Sequence, residues 1–228
     1  MTPFDLIDWP CPAPGGGTRD ELALVFDRAR ASRLLVLPAC FDEANKLRRQ
    51  TVEMMRRLDL SGIDSFLPDF PGCNESSAKL AQQTLGGWQQ AATEAVRHFG
   101  ATHVLTVRAG ALLAPTGVPG WRYAPTGGRQ TLRGMIRART IAAKEAGRPE
   151  SSEDLQKLGR SEGIELAGWH IGPEMFTALE AAEPSGELTL IEQEALSGPG
   201  LWLRAEPDES PEQADALAAI LAIGMTEA

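Results

Sequence analysis

Short apolar runs alternate along this chain with longer stretches in which apolar residues recur three or four positions apart. That alternation predicts a mostly parallel sheet covered by helices on both faces. Arg33-Leu34-Leu35-Val36-Leu37-Pro38 reads as a strand, and Leu47, Met54, Met55 and Leu58 mark a helix over residues 43–60. Residues 62–68 predict the next strand, which ends in the turn-rich Asp69-Phe70-Pro71-Gly72-Cys73-Asn74-Glu75-Ser76, and residues 84–99 its helix. His103–Val107 predicts a third strand, passing abruptly through Arg108-Ala109-Gly110 into Ala111-Leu112-Leu113-Ala114. Residues 21–26 suit helix or strand, and the order of elements favours strand.

Past Pro125 the pattern changes. Residues 132–146 and 152–162 predict two helices with polar faces, the second opening on Ser151 or Ser152 as N-cap with acids in its first turn. They suggest a helical insertion over residues 126–170 within a single domain spanning 1–228. The core pattern resumes with a helix over 173–182, begun by Pro173, and strands over 188–191 and 201–204. A last helix, residues 211–223, follows Ser210 as its cap. Residues 10–18 and the extreme C-terminus are expected to be disordered.

Charge and cysteine content narrow the function. A net charge of −9 disfavours nucleic acid and anionic membranes as partners. The N-terminus carries Asp5 and Asp8, with no basic region and no apolar run suited to a signal peptide or a membrane span, so a cytoplasmic location is expected. Cys11, Cys40 and Cys73 lie far apart without metal-type spacing. They read as free thiols, with neither a disulfide framework nor a metal site, and no cofactor is implied.

The order of a strand, a loop with acids, a helix, a strand ending Pro68-Asp69-Phe70-Pro71-Gly72, a helix, a strand and a sharp small-residue turn resembles the α/β-hydrolase superfamily. More narrowly, Leu37-Pro38-Ala39-Cys40-Phe41-Asp42-Glu43-Ala44-Asn45-Lys46-Leu47-Arg48-Arg49 resembles the exosortase A system-associated hydrolase 2 proteins, as do residues 67–76, 108–114 and 165–169. These are bacterial proteins linked to exopolysaccharide and surface-protein sorting loci. The resemblance implies an α/β-hydrolase-like sheet and a role beside such systems, with a related hydrolase subunit as a partner. A compact leader over residues 1–33 departs from that family and puts its usual N-terminal strands in doubt.

A serine hydrolase of this fold needs a Gly-x-Ser-x-Gly elbow, followed by an acid and then a histidine late in the chain. Here the elbow reads Thr106-Val107-Arg108-Ala109-Gly110, and a guanidinium can be neither deprotonated nor made to attack a carbonyl. Of the three histidines, His103 opens its strand roughly 16 Å from the elbow and His98 lies near a helix end. His170 is the one candidate for chemistry, against the simpler reading of a locally packed ring. Glu192 and Glu194 stand near the usual acid position, where acids are more often solvated. Cys40 and Cys73 each follow a strand at its C-terminal end, the edge where such sheets bind ligands, but neither has a nearby histidine to activate it.

A cation at the elbow calls for an anion. Asp42, Glu43 or Asp69 can supply it internally and lock the site. Alternatively, Arg108 with the backbone N–H groups around Ala109 holds a small anionic ligand, bounded by Cys40, Phe41, Asp42, Glu43 and Asp69. A third reading puts Arg108 at a protein interface. Lys46, Arg48 and Arg49 add positive charge nearby, and the arginines of the insertion roof the site or face water. The sequence therefore points to a hydrolase relative without its nucleophile, a binding or partner protein, with an atypical ester, thioester or acyl hydrolase as the alternative.

Overall fold

The computed structural model describes residues 3–226. Its main sheet has seven strands in the order β1 (Asp5–Pro12), β2 (Thr18–Phe26), β4 (Asp64–Pro68), β3 (Arg33–Leu37), β5 (His103–Val107), β6 (Gly120–Tyr123) and β9 (Thr189–Ile191). β2 is antiparallel to both β1 and β4, and every pairing from β4 to β9 is parallel.

The continuous apolar run of β3 has a simple cause: both of its faces are covered. Leu34 and Val36 pack with Met54, Met55 and Leu58 of α1 (Asp42–Leu60) and with Leu217 and Leu221 of α6 (Pro211–Thr226). Leu35 and Leu37 face the opposite layer, with Ala91, Ala92 and Ala95 of α2 (Leu85–Phe99). Thr84 caps α2 by accepting from the Gly87 N–H at 2.9 Å, and Gly100 ends it in the left-handed conformation.

In the stretch expected to be an insertion lie α3 (Gly128–Glu145) and α4 (Ser152–Ser161), with Ser151 as the cap of α4. They are followed by a two-stranded hairpin, β7 (Ile164–Leu166) and β8 (Trp169–Ile171), whose turn is made by Ala167 and Gly168, both at positive φ. The short α5 (Pro173–Ala181) then returns the chain to the core through Met175, Phe176 and Leu179, and it packs against α3 and α4.

Several expectations are corrected. Residues 10–18 are ordered: Pro10 and Pro12 pair with Asp20 and Thr18 in the β1–β2 hairpin. Proline is tolerated there because β1 is an edge strand, and the fully buried Trp9 and Cys11 anchor it. The leader thus supplies two N-terminal strands. At the other end α6 is helical through Thr226; residues 227–228 lie outside the described part.

Residues 201–204 are not a strand. Leu201–Leu203 forms a single 3-10 turn, which buries Leu201 and leaves Leu203 73% exposed, whereas a strand would put both on one face. β6 went unforeseen, as did the β7–β8 hairpin. β6 depends on Gly120, where a Cβ would sit 1.9 Å from the Val104 carbonyl oxygen. Among the described residues no helix is long and apolar enough to cross a membrane.

Candidate functional site

β5 ends at Val107 in extended conformation, and the next residue, Arg108, has φ +52° before a 3-10 stretch over Arg108–Leu113. A non-glycine residue in this region is strained. The turn is held from behind. A Cβ at Gly110 would lie 2.3 Å from the Pro38 carbonyl oxygen and 2.5 Å from that of Leu37, so the elbow is pressed against the end of β3. The tight, strained strand-to-helix turn is therefore present with an arginine at its apex.

The Arg108 guanidinium is held by the protein itself through three of its five N–H donors. Its Nε and Nη2 donate to Glu43 Oε2 and Oε1 at 2.9 and 3.1 Å, and Nη1 donates to the Ala124 carbonyl at 2.7 Å. The ring of Trp202 covers its face, 4.1 Å from the guanidinium carbon. This is a bidentate, stacked arrangement that only arginine can make. Glu43 reaches it from the first turn of α1, where an acid is also favoured by the helix dipole. The residue before α1, Phe41, is strained as well (φ +56°, ψ −131°) and is wedged between Trp88 and Trp169.

The other acids are engaged elsewhere. Asp42 pairs with Lys46 at 2.9 Å along α1. Asp69, at the end of β4, accepts from Arg48 at 3.0 Å and from Asn74 at 2.5 Å. Of the three anions that the sequence offered to Arg108, the structure uses Glu43.

Three cavities lie on this side of the sheet's strand ends, two of them sharing Cys40. Arg108, Asp42, Glu43, Cys40, Thr126 and Trp202 border one of about 490 Å³. Cys40, Phe41, Asp69, Cys73 and Trp169 line a second, much smaller one of about 30 Å³. His170, Trp169, Asn45 and Lys79 line a groove of about 660 Å³ that also includes the hairpin tip, Ala167 and Gly168. Ala109 lies beneath the elbow, 1% exposed. The structure thus gathers Arg108, Glu43, Asp42 and Cys40 around one space and leaves His170 outside it.

The chemistry available is narrow. His170 is largely exposed and pairs with Glu165 at 3.1 Å; His103 stacks on Trp121 at the opposite end of β5, where burial lowers its pKa. His98 packs against Trp9 and Phe99. Burial pushes the Cys40 thiol up to about 12, with the charge of Glu43 adding to the effect. Cys73 is raised for the same main reason. Both thiols are protonated at neutral pH, so neither is a ready nucleophile.

After β9, where this kind of sheet would carry its catalytic acid, Gln193 accepts a hydrogen bond from the Tyr123 hydroxyl, and Glu192 and Glu194 are exposed. The segment beyond it brings Trp202, not a histidine, onto Arg108. Among the described residues no cluster of His, Cys, Asp and Glu is arranged to hold a metal.

Trp202, Thr126 and the Ala124 carbonyl escaped the reading of the sequence. Their roles come from contacts across 16 positions or more of chain, which periodicity cannot reveal.

No protein-family model matches the chain, and no curated protein matches it in sequence. Solved structures do match. A protein of Agrobacterium vitis S4 with a provisional hydrolase description superposes with a TM-score of 0.53 at 16% identity, over 98% of this chain and 99% of its own. DcsB, solved with a substrate analogue, gives 0.54 at 10% identity over 98% and 100%. Mouse α/β hydrolase domain-containing protein 10 gives 0.51 at 12% identity over 84% and 77%. The chain therefore has an α/β-hydrolase fold, and at these identities the likeness extends to fold alone.

Proposed function

We propose that this protein is a pseudoenzyme, an α/β-hydrolase-fold binding protein that performs no acyl chemistry of its own. The observation that carries the reading is the Arg108–Glu43 pair, which fills the nucleophile's position with a charge that cannot attack and occupies that charge with an internal carboxylate. In this reading α3, α4 and the β7–β8 hairpin act as a cap over the cavity beside Arg108. The resemblance of residues 37–49 to exosortase-associated proteins supports a cytoplasmic role beside exopolysaccharide or surface-protein sorting, with a related, active hydrolase as the partner.

Turnover of p-nitrophenyl acetate, p-nitrophenyl butyrate and a short thioester by the purified protein tests this. No rate above background is expected, from the protein or from Arg108→Ser, because no histidine stands near the elbow to activate a serine. A gain of esterase activity in Arg108→Ser would refute the reading. Turnover by the unaltered protein that disappears on Cys40→Ala would replace it with a thiol hydrolase working from the one cysteine that borders both the 490 and the 30 Å³ cavities.

A further inference from the structure

Charge is unevenly divided along this acidic chain. Residues 128–161, which form α3 and α4, carry eight Lys and Arg against four Asp and Glu, in a protein whose net charge is −9. Part of that excess converges on a pocket of about 210 Å³ between α3, α4 and α5. The pocket shares no lining residue with the three cavities near the elbow.

Close helix packing builds it. A Cβ at Gly159 would lie 2.5 Å from the Phe176 ring, so α4 sits tightly on α5 and carries Arg160 to Glu180. Arg160 Nε and Nη2 donate to the two carboxylate oxygens of Glu180 at 2.6 and 2.8 Å, and Nη2 also donates to Gln156 Oε1 at 3.3 Å. Leu132 and Ile136, both buried, line the pocket from α3.

Arg129 and Arg133 come from the same face of α3, one turn apart. Arg129 Nε donates to the Glu180 backbone carbonyl at 3.2 Å, which leaves both of its Nη groups unbonded among the described residues. The Arg133 side chain has no hydrogen bond or ion pair among them. Glu183 packs against Gly127 at the start of α3 and lies outside the lining. Like charges one turn apart repel, and the one carboxylate in the lining, Glu180, is already taken at both oxygens by Arg160. Three guanidiniums and one carboxylate leave two positive charges facing one small space.

That surplus defines the ligand. A carboxylate would neutralise one of the two charges. A phosphate monoester brings close to two negative charges and three terminal oxygens, which match the donor forks of two guanidiniums. The pocket is smaller than those that enclose drug-sized molecules, so it takes the phosphoryl group and a few atoms beyond it.

We infer that this pocket binds the phosphoryl group of a small phosphate monoester. Arg133 and the Nη groups of Arg129 hold its oxygens, and Arg160, fixed by Glu180, adds positive field from α4. The site stands apart from the reading of the protein as a pseudoenzyme, whose failure shows as turnover of the nitrophenyl esters whatever happens here.

Calorimetric titration of the full chain at ~pH 8 and low salt tests it, with glycerol phosphate, inorganic phosphate and acetate as probes. Glycerol phosphate is expected to bind at least as tightly as inorganic phosphate and about tenfold or more tighter than acetate. Arg133→Gln should weaken it about tenfold, whereas Lys144→Gln, which removes the same charge from α3 outside the pocket, should change it less than about twofold. Glycerol phosphate should raise the melting temperature of the unaltered protein and not that of Arg133→Gln. Without ligand, Arg133→Gln should melt no lower than the unaltered protein, since it removes only a repelling neighbour of Arg129.

The absence of glycerol phosphate binding up to about 10 mM would overturn the proposal. So would acetate binding as tightly, a monoester binding about tenfold more weakly than the inorganic ion, or equal losses in Lys144→Gln and Arg133→Gln, which would mean a diffuse field and no site.

Discussion

Removing the partner of Arg108 should show how strongly the elbow depends on it. Glu43→Gln keeps the shape of the side chain but replaces two acceptor oxygens with one acceptor and an amide that faces the guanidinium donor to donor. The Arg108 side chain is 11% exposed and that of Glu43 24%, so the pair is shielded without being fully buried. Stranding one member of a buried pair costs about 3–5 kcal/mol, and the residual exposure reduces this to about 2–3 kcal/mol.

Arg108→Met loses the same pair, the Ala124 hydrogen bond and the stacking on Trp202, but it leaves Glu43 able to turn toward water, and about 2 kcal/mol is expected. If both changes remove one interaction, the double variant should cost about as much as either alone, a coupling of roughly 2 kcal/mol. Urea unfolding followed by tryptophan fluorescence reads this as a fall in midpoint of about 1 M for Glu43→Gln, with little further loss on adding Arg108→Met. Additivity of the two single changes within about 0.5 kcal/mol would show that solvent screens the pair, and the account of Arg108 as a lock would fail.

Three other changes probe the frame around it. Gly110→Ala drives a methyl into the Leu37 and Pro38 carbonyls and should destabilise by about 3 kcal/mol or more, or prevent folding; a loss under about 1 kcal/mol, measured by urea unfolding, would mean the elbow does not press on β3. With its thiol raised to about 12, Cys40 should react with iodoacetamide near ~pH 8 about a thousandfold more slowly than free cysteine, and urea should restore the rate, as mass spectrometry of the modified peptide would show.

Burial raises the pKa of the Glu21 carboxyl, against a hydrogen bond from Ser76 that lowers it. Its contribution to stability is therefore fully present below the unfolded carboxylate value and is lost as pH rises through the higher folded value. The melting temperature of Glu21→Gln relative to the unaltered protein should accordingly rise between ~pH 4 and ~pH 7. A difference independent of pH would refute this.

What the sequence revealed depended on how far each signal extends along the chain. β3 and β5 are legible because burial on both faces makes them uniformly apolar, and α1 because its apolar residues repeat over five turns. β6, β7 and β8 have three or four residues each, too few to show a period, and β6 depends on a glycine whose need arises from the neighbouring strand. The N-terminal hairpin was obscured by prolines that normally argue against strand, yet which an edge position admits.

The position of Arg108 at the elbow was readable from the spacing of Gly110, whereas its partner was not. Asp42, Glu43 and Asp69 are equivalent in sequence until Lys46 engages the first and Arg48 with Asn74 the last. Trp202 was read as part of a strand, and its stacking on Arg108 follows from the 3-10 turn that replaced that strand.

The strained turn at Arg108 has the backbone of a nucleophile elbow, and the side chains packed around it oppose a serine at its apex. Placing a serine at position 108 would remove the guanidinium that Glu43 and Trp202 contact, so a shielded carboxylate would lose its partner and an indole its cation in the same step. The elbow's backbone and its side chains thus pull in different directions: the one has the form that exposes a small nucleophile, the other holds a large cation in place.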